Sequence, residues 1–276
     1  MARKINDKLI ERMTIGDLKL LLNYLKSESK RLRIEVRQNG KCFVYYKKCK
    51  ILDIGLRSYH IDKKYFEDKK EPTDIKSKVI NTPKKYFEET IQVIDSWLLK
   101  HKKNEFETQQ NIAFYNQDKN DRYLVLDMEY NFSQNNIPSD KRVKKAGFDL
   151  LGMERKTGNI VFFEVKKGLK ALTGKAGIKT HIIDFEECLF GENKTKFREN
   201  LLSDVKNTIS DKQTLGLIEA PNLLPSLDEV ELIFVYEPDK NESNNYSNIF
   251  NKEHQAAKTN KKYKSIFVSN NNYKLI

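Results

Sequence analysis

Apolar and charged residues alternate strictly from Arg31 to Arg37, with Leu32, Ile34 and Val36 on one side and Arg31, Arg33, Glu35 and Arg37 on the other. A period of two predicts a half-buried strand. Asn39-Gly40 then predicts a two-residue hairpin turn into a second strand over 41–47, with a third over 51–54. That register would set Arg33 opposite Tyr46 and Arg37 opposite Cys42. Before the strands, Leu18, Leu21, Leu22 and Leu25 recur at helical spacing, predicting a helix over 14–28 with Thr14 as its N-cap. Residues 60–82 are polar with few apolar anchors and read as a linker. Thr82-Pro83 opens another helix, with proline at its first position. Its stripe of Phe87, Ile91, Ile94 and Leu98 continues through Glu105 and Gln109.

In the second half, Tyr123 to Phe132 reads as a strand carrying Asp127 and Glu129 on one face. A polar loop follows over 133–146, holding Lys141, Arg142, Lys144 and Lys145. The stretch Gly147 to Gly168, GFDLLGMERKTGNIVFFEVKKG, reads as two strands around a Lys156-Thr157-Gly158-Asn159 turn. The second of these strands, Ile160 to Val165, is almost wholly apolar, as a strand buried on both faces should be. Three glycines (Gly168, Gly174 and Gly177) precede a short helix from about Ile178. A longer helix over 194–217 carries Phe197, Leu201, Val205 and Ile209 at steps of four. Apolar runs at 230–236 and 264–268 predict two more strands, and 237–262 lacks a core pattern. No internal repeat is present.

The chain has 276 residues, 33% of them charged and 38% hydrophobic, which suits one or two folded domains. No apolar run has the length of a membrane span, and the N-terminus shows no signal-peptide core, so a cytoplasmic protein is expected. Three cysteines without paired spacing predict reduced thiols rather than a zinc site or a disulfide framework. The net charge of +12 is unevenly spread: residues 1–82 hold 21 Lys and Arg against 11 Asp and Glu, leaving the rest nearly neutral. A basic segment joined to a neutral module suits a polyanionic partner, nucleic acid ahead of a membrane surface. Lysine-rich composition also serves solubility alone. Motifs for serine hydrolases, phosphate-binding loops and dinucleotides are absent.

The hairpin carries the candidate chemistry. Glu164 and Lys166 sit two apart at the end of an apolar strand and so project together. Asp149 lies on the neighbouring strand. Buried charges are costly unless paired or metal-bound, and two carboxylates sharing a divalent cation beside a lysine satisfy all three. Asp149 followed by Glu164-Val165-Lys166 at the end of an apolar strand resembles the PD-(D/E)xK nuclease superfamily. The match is close over about 20 residues, and the order helix, three strands, helix, strand extends it over most of the chain after Thr82. Phe148 stands where that superfamily usually has proline. The resemblance implies an α/β restriction-endonuclease-like core, a mixed central sheet flanked by helices, over residues 81–276, preceded by a small basic α+β region over 1–80. It implies a metal-dependent endonuclease of a prokaryotic restriction, defence or DNA-processing type. Mg²⁺ or Mn²⁺ would be held by Asp149, Glu164 and the Val165 carbonyl, with Lys166 catalytic. DNA is favoured over RNA as substrate, and a homodimer suits two-strand cleavage. The alternative is a nucleic-acid-binding protein that keeps the fold without cleaving.

Further candidates are less specific. Glu105 and Glu129 are candidate additional acids, and each also reads as a solvated position, at a helix end and on an exposed strand face. Arg33, Arg37 and Tyr46 on one sheet face can grip phosphates and stack on bases, or simply form an outward face with ordinary cross-strand packing. Lys144 and Lys145, leading into the Asp149 strand, are placed to hold a phosphate backbone. His181 and Asp184, one helical turn apart, are candidates to contact a scissile phosphate or complete a proton path.

Overall fold

The computed structural model describes residues 3–67, 71–101, 104–132, 146–239, 242, 245–269 and 272–276. The chain divides into two compact units, one of Met1–Gln110 with Asn207–Ala220 and one of Asn111–Lys206 with Pro221–Ile276. The first unit is larger than the expected 1–80 region. No described helix is long and apolar enough to cross a membrane.

In the first unit, helices α1 (Asp7–Thr14) and α2 (Lys19–Ser27) precede a four-stranded antiparallel sheet of β1 (Arg33–Val36), β2 (Cys42–Tyr46), β3 (Cys49–Ile54) and β4 (Tyr59–His60). The single helix expected over 14–28 is thus two. Thr14 ends α1 rather than opening a helix, and the Asn6 side chain caps α1 by accepting from the Lys8 amide. The alternation in β1 does its expected work: Ile34 and Val36 join Leu9, Leu21, Leu25, Val44 and Leu52 in one apolar core. Helix α4 (Pro83–Lys100) packs Tyr86, Phe87, Ile91 and Ile94 into the same core. The polar stretch before it is not a bare linker. Tyr65, Phe66 and Val79, the last on α3 (Ile75–Asn81), are buried with that core. The stripe from Phe87 to Gln109 does not lie on one helix, because α4 ends at Lys100 and α5 (Asn104–Tyr115) starts afresh.

The hairpin register differs from the expected one by a residue. Arg33 pairs with Tyr45, Val36 pairs with Cys42, and the Arg37 amide donates to the Lys41 carbonyl. The loop is therefore Gln38-Asn39-Gly40, with Asn39 at φ 64 and Gly40 at φ 73. Gln38 is drawn out of the hairpin because it bridges to Arg3, while Gly40 bridges to Ile5. A slip of one residue moves a side chain to the other face of the sheet, so Tyr45, not Tyr46, shares the face of Arg33 and Arg37.

The second unit is built on a five-stranded mixed sheet in sequence order: β5 (Tyr123–Asn131), β6 (Gly147–Glu154), β7 (Asn159–Lys167), β8 (Ser226–Glu237) and β9 (Lys264–Phe267). The first three run antiparallel, and β8 and β9 run parallel to β7. Helices α6 (Ile178–Phe190), α7 (Lys194–Thr214) and α8 (Tyr246–Ala256) occupy the connections, as parallel strands require long crossovers. The β6–β7 turn closes where the sequence placed it, with Gly158 at φ 77 and its amide donating to the Glu154 carbonyl. A Cβ at Gly158 would lie 2.4 Å from the Leu224 carbonyl oxygen, so the position requires glycine on two counts.

Aromatic rings fill the core beside β6 and β7. Phe162 lies 4.7 Å from Phe148 and 5.9 Å from both Phe132 and Phe185, and Phe197 of α7 packs on Phe132. Each such buried phenyl contributes about 2–3 kcal/mol. Ile178, Ile182, Phe185 and Leu189 form the buried stripe of α6, and Phe185 seats the helix over Phe148 and Phe162. The segment 237–262, without a core pattern in the sequence, contains α8, whose Tyr246 and Phe250 pack on Tyr236 and Phe234.

Candidate active site

β7 is paired with β8 along its end, with Glu164 opposite Phe234 and Lys166 opposite Tyr236. Its pairing with β6 stops at Leu150–Phe163. Beyond that point the Val165 amide donates to Asp149 Oδ2 at 2.9 Å, so a carboxylate takes the place of a backbone acceptor. The N–H and C=O of one residue point to the same side of an extended strand. The Val165 carbonyl therefore faces the Asp149 side of β7.

Glu164 and Lys166 are both 3% exposed. Lys166 Nζ donates to Glu164 Oε1 at 2.7 Å, and His181 Nε2 lies 2.8 Å from the same oxygen. Burial pushes the Glu164 carboxyl up, but the charges of Lys166 and then His181, with their hydrogen bonds, outweigh it and bring the group down to about 2. Glu164 is thus ionised at neutral pH. Its Oε2 is buried and has no hydrogen-bond partner. A buried carboxylate oxygen without a donor is costly, and it marks a place for a ligand that accepts lone pairs.

His181 reaches Glu164 from the first turn of α6. That helix starts at Gly177, where a Cβ would lie 2.5 Å from the Thr173 carbonyl carbon and 2.7 Å from the Leu172 oxygen. The tight glycine turn brings the Ala176 carbonyl within 3.2 Å of His181 Nε2. Asp184, the other candidate on this helix, is not hydrogen-bonded to Glu164; the two donors on Oε1 are Lys166 and His181. The contact between His181 and Glu164 has one signal in the sequence, a polar residue beside the apolar stripe Ile178, Ile182, Phe185. That signal does not name a partner.

Glu129 lies across from Asp149, in the interval between the Met128–Leu150 and Tyr130–Phe148 pairs of β5 and β6. Its φ of 58 is left-handed, a conformation that costs about 1–3 kcal/mol at a non-glycine residue and concentrates at functional sites. Asp127 is buried across from Leu151. Glu105 is on α5, in the first unit. Lys141, Arg142, Lys144 and Lys145 lie outside the described residues.

The sheet face expected to bind nucleic acid is engaged internally. Arg33 pairs with Glu35, whose other oxygen accepts from Lys212 Nζ at 2.6 Å. Glu35 and Lys212 are fully buried. Arg37 is buried between the rings of Phe43 and Tyr45, 5.6 and 5.3 Å from their centroids, and donates to the Val36 carbonyl and the Tyr45 hydroxyl. Tyr46 donates to Asp95 instead.

Compared with known proteins, the chain matches no family model, no curated protein and no solved structure. Among the described residues, no group of three or more His, Cys, Asp and Glu side chains is arranged to hold a metal ion. Asp149, Glu164 and the Val165 carbonyl are the oxygen groups at the end of the β6–β7 pair. All three are hard oxygen donors of the kind Mg²⁺ and Mn²⁺ take, with water completing the shell.

Proposed function

We propose that the second unit is a metal-dependent nuclease with a restriction-endonuclease-like core, acting as a DNA endonuclease of a prokaryotic restriction, defence or DNA-processing type. The observation that carries this reading is the buried Glu164, held through Oε1 by Lys166 and with Oε2 unpartnered, beside Asp149 at the open end of the β6–β7 pair. The three antiparallel strands followed by two parallel ones, with helices in the crossovers, support the fold assignment.

Asp149, Glu164 and the Val165 carbonyl would hold Mg²⁺ or Mn²⁺. When bound, such an ion polarises a phosphoryl oxygen and lowers the pKa of attacking water. The chain's own groups supply the remainder. The carboxylates set where negative charge is tolerated, so a phosphodiester approaches only when that charge is balanced. Lys166 donates from Nζ, orienting the attacking water or offsetting charge on the transition state. The apolar packing of Phe148, Phe162 and Phe185 behind the site fixes the strand end and keeps bulk water off the buried side of Glu164. Glu129 is the additional acid of this reading, from its position across from Asp149.

The test is cleavage of plasmid, linear and single-stranded DNA, and of RNA, with Mg²⁺, Mn²⁺ or EDTA, comparing wild type with Asp149→Asn. The asparagine keeps an acceptor for the Val165 amide and removes the charge. Metal-dependent cleavage of DNA should be lost by at least a hundredfold in the variant, with an unchanged melting temperature in EDTA. Equal cleavage by both proteins, or none by the wild type on any substrate, overturns the reading; the second result would leave a nucleic-acid-binding protein.

A further inference from the structure

We propose that His181 is a positioning residue for the cation site: it locks Glu164 so that Oε2 stays turned toward the metal. This rests on the reading of Asp149 and Glu164 as cation ligands. A carboxylate only accepts hydrogen bonds and an ammonium only donates them. The 2.8 Å contact from His181 Nε2 to Glu164 Oε1 therefore places a proton on Nε2. The 3.4 Å between Lys166 Nζ and Nε2 is then an approach of two donors that share one acceptor, not a bond between them. Lys166 and His181 thus both approach Oε1, with the Nε2 proton shared with the Ala176 carbonyl at 3.2 Å, while Oε2 has no partner. A carboxylate gripped by one oxygen presents the other.

Lys166 alone does not account for this arrangement. Its four-carbon stem is flexible and its ammonium has three protons, so it can leave Glu164 for water or phosphate during turnover. His181 stands on a helix seated by Phe185 against Phe148 and Phe162, at the end of a glycine turn whose close approach admits no side chain at Gly177. The imidazole therefore keeps hold of Oε1 when the lysine moves. Residues that hydrogen-bond a metal ligand in this way commonly change metal affinity 10- to 100-fold when removed.

The experiment measures Mn²⁺ binding to the full chain by the loss of the free-ion electron paramagnetic resonance signal, for wild type, Asp149→Ala, His181→Ala and His181→Gln. Glutamine can place an N–H near the position of Nε2. His181→Ala should weaken Mn²⁺ binding at least tenfold, and His181→Gln should recover to within about threefold of wild type. Unfolding temperatures in EDTA show whether each variant is folded. If Asp149→Ala loses Mn²⁺ while His181→Ala binds as tightly as wild type, the role of His181 is overturned and the cation site stands. If both His181 variants are equally weak and equally destabilised, the histidine is merely structural and the proposal fails. If wild type binds no Mn²⁺, or Asp149→Ala binds as well as wild type, the underlying reading of the site fails first.

Discussion

Replacing Lys166 by methionine keeps most of the side-chain volume and removes the nearest positive charge from a buried carboxylate. Glu164 is held down from its ordinary 4.5 to about 2, with burial opposing and Lys166 as the larger of the two charges that win. That difference corresponds to about 3 kcal/mol of preference for the ionised form in the folded state. Lys166→Met removes only one of those two charges, so its cost in metal-free protein at pH 7 is set by breaking one side of a buried pair, about 3–5 kcal/mol. The sign with pH follows from a depressed carboxyl. The stabilisation is complete above the unfolded value of 4.5 and is lost as pH falls toward 2, so the gap between wild type and variant should close over that window. Glu164→Gln together with Lys166→Met leaves neither charge stranded and should regain much of the loss, giving a coupling of roughly 2 kcal/mol in a double-mutant cycle. The only tryptophan, Trp97, lies in the other unit, so its fluorescence is the wrong probe. Hydrogen exchange of β6 and β7 peptides reports on the right one. A loss below about 1 kcal/mol, as for exposed ion pairs, or an additive cycle, would refute the account of Glu164 as a charge held by its neighbours.

Two further outcomes test the frame around the site. Gly158→Ala meets both a left-handed backbone and the Leu224 carbonyl, and should destabilise the second unit by about 2 kcal/mol in a urea titration followed by hydrogen exchange. Arg37→Ala empties a buried slot between Phe43 and Tyr45 and should cost the first unit about 2 kcal/mol, read by Trp97 fluorescence. The salt dependence of duplex DNA binding should stay unchanged, whereas a lost phosphate contact lowers the slope by about one unit; a lower slope with intact stability would put Arg37 on a phosphate.

The amino-acid pattern by itself determined most of the second unit. The hairpin around Gly158, the apolar run of β7 and the stripe of α6 are local features, because side-chain periodicity and turn chemistry are local. Asp149, Glu164 and Lys166 stand out as candidates for the same reason: charges at the end of an apolar strand are costly unless something answers them. What the periodicity left open was decided by contacts far apart in the chain. Gln38 bridges Arg3, which adds a residue to the hairpin loop and turns Tyr46 away from Arg33 and Arg37. Lys212 reaches Glu35 from the late helix α7 and buries a face that reads as solvent-exposed in β1 alone. Tyr65, Phe66 and Val79 anchor a stretch too polar to show a period. His181 joins Glu164 only because the glycine turn before α6 and the ring packing of Phe185 bring helix and strand together. Short-range pattern assigns each residue a face. Which partner meets that face is set by tertiary packing, and the free oxygen of Glu164 exists only once those partners are in place.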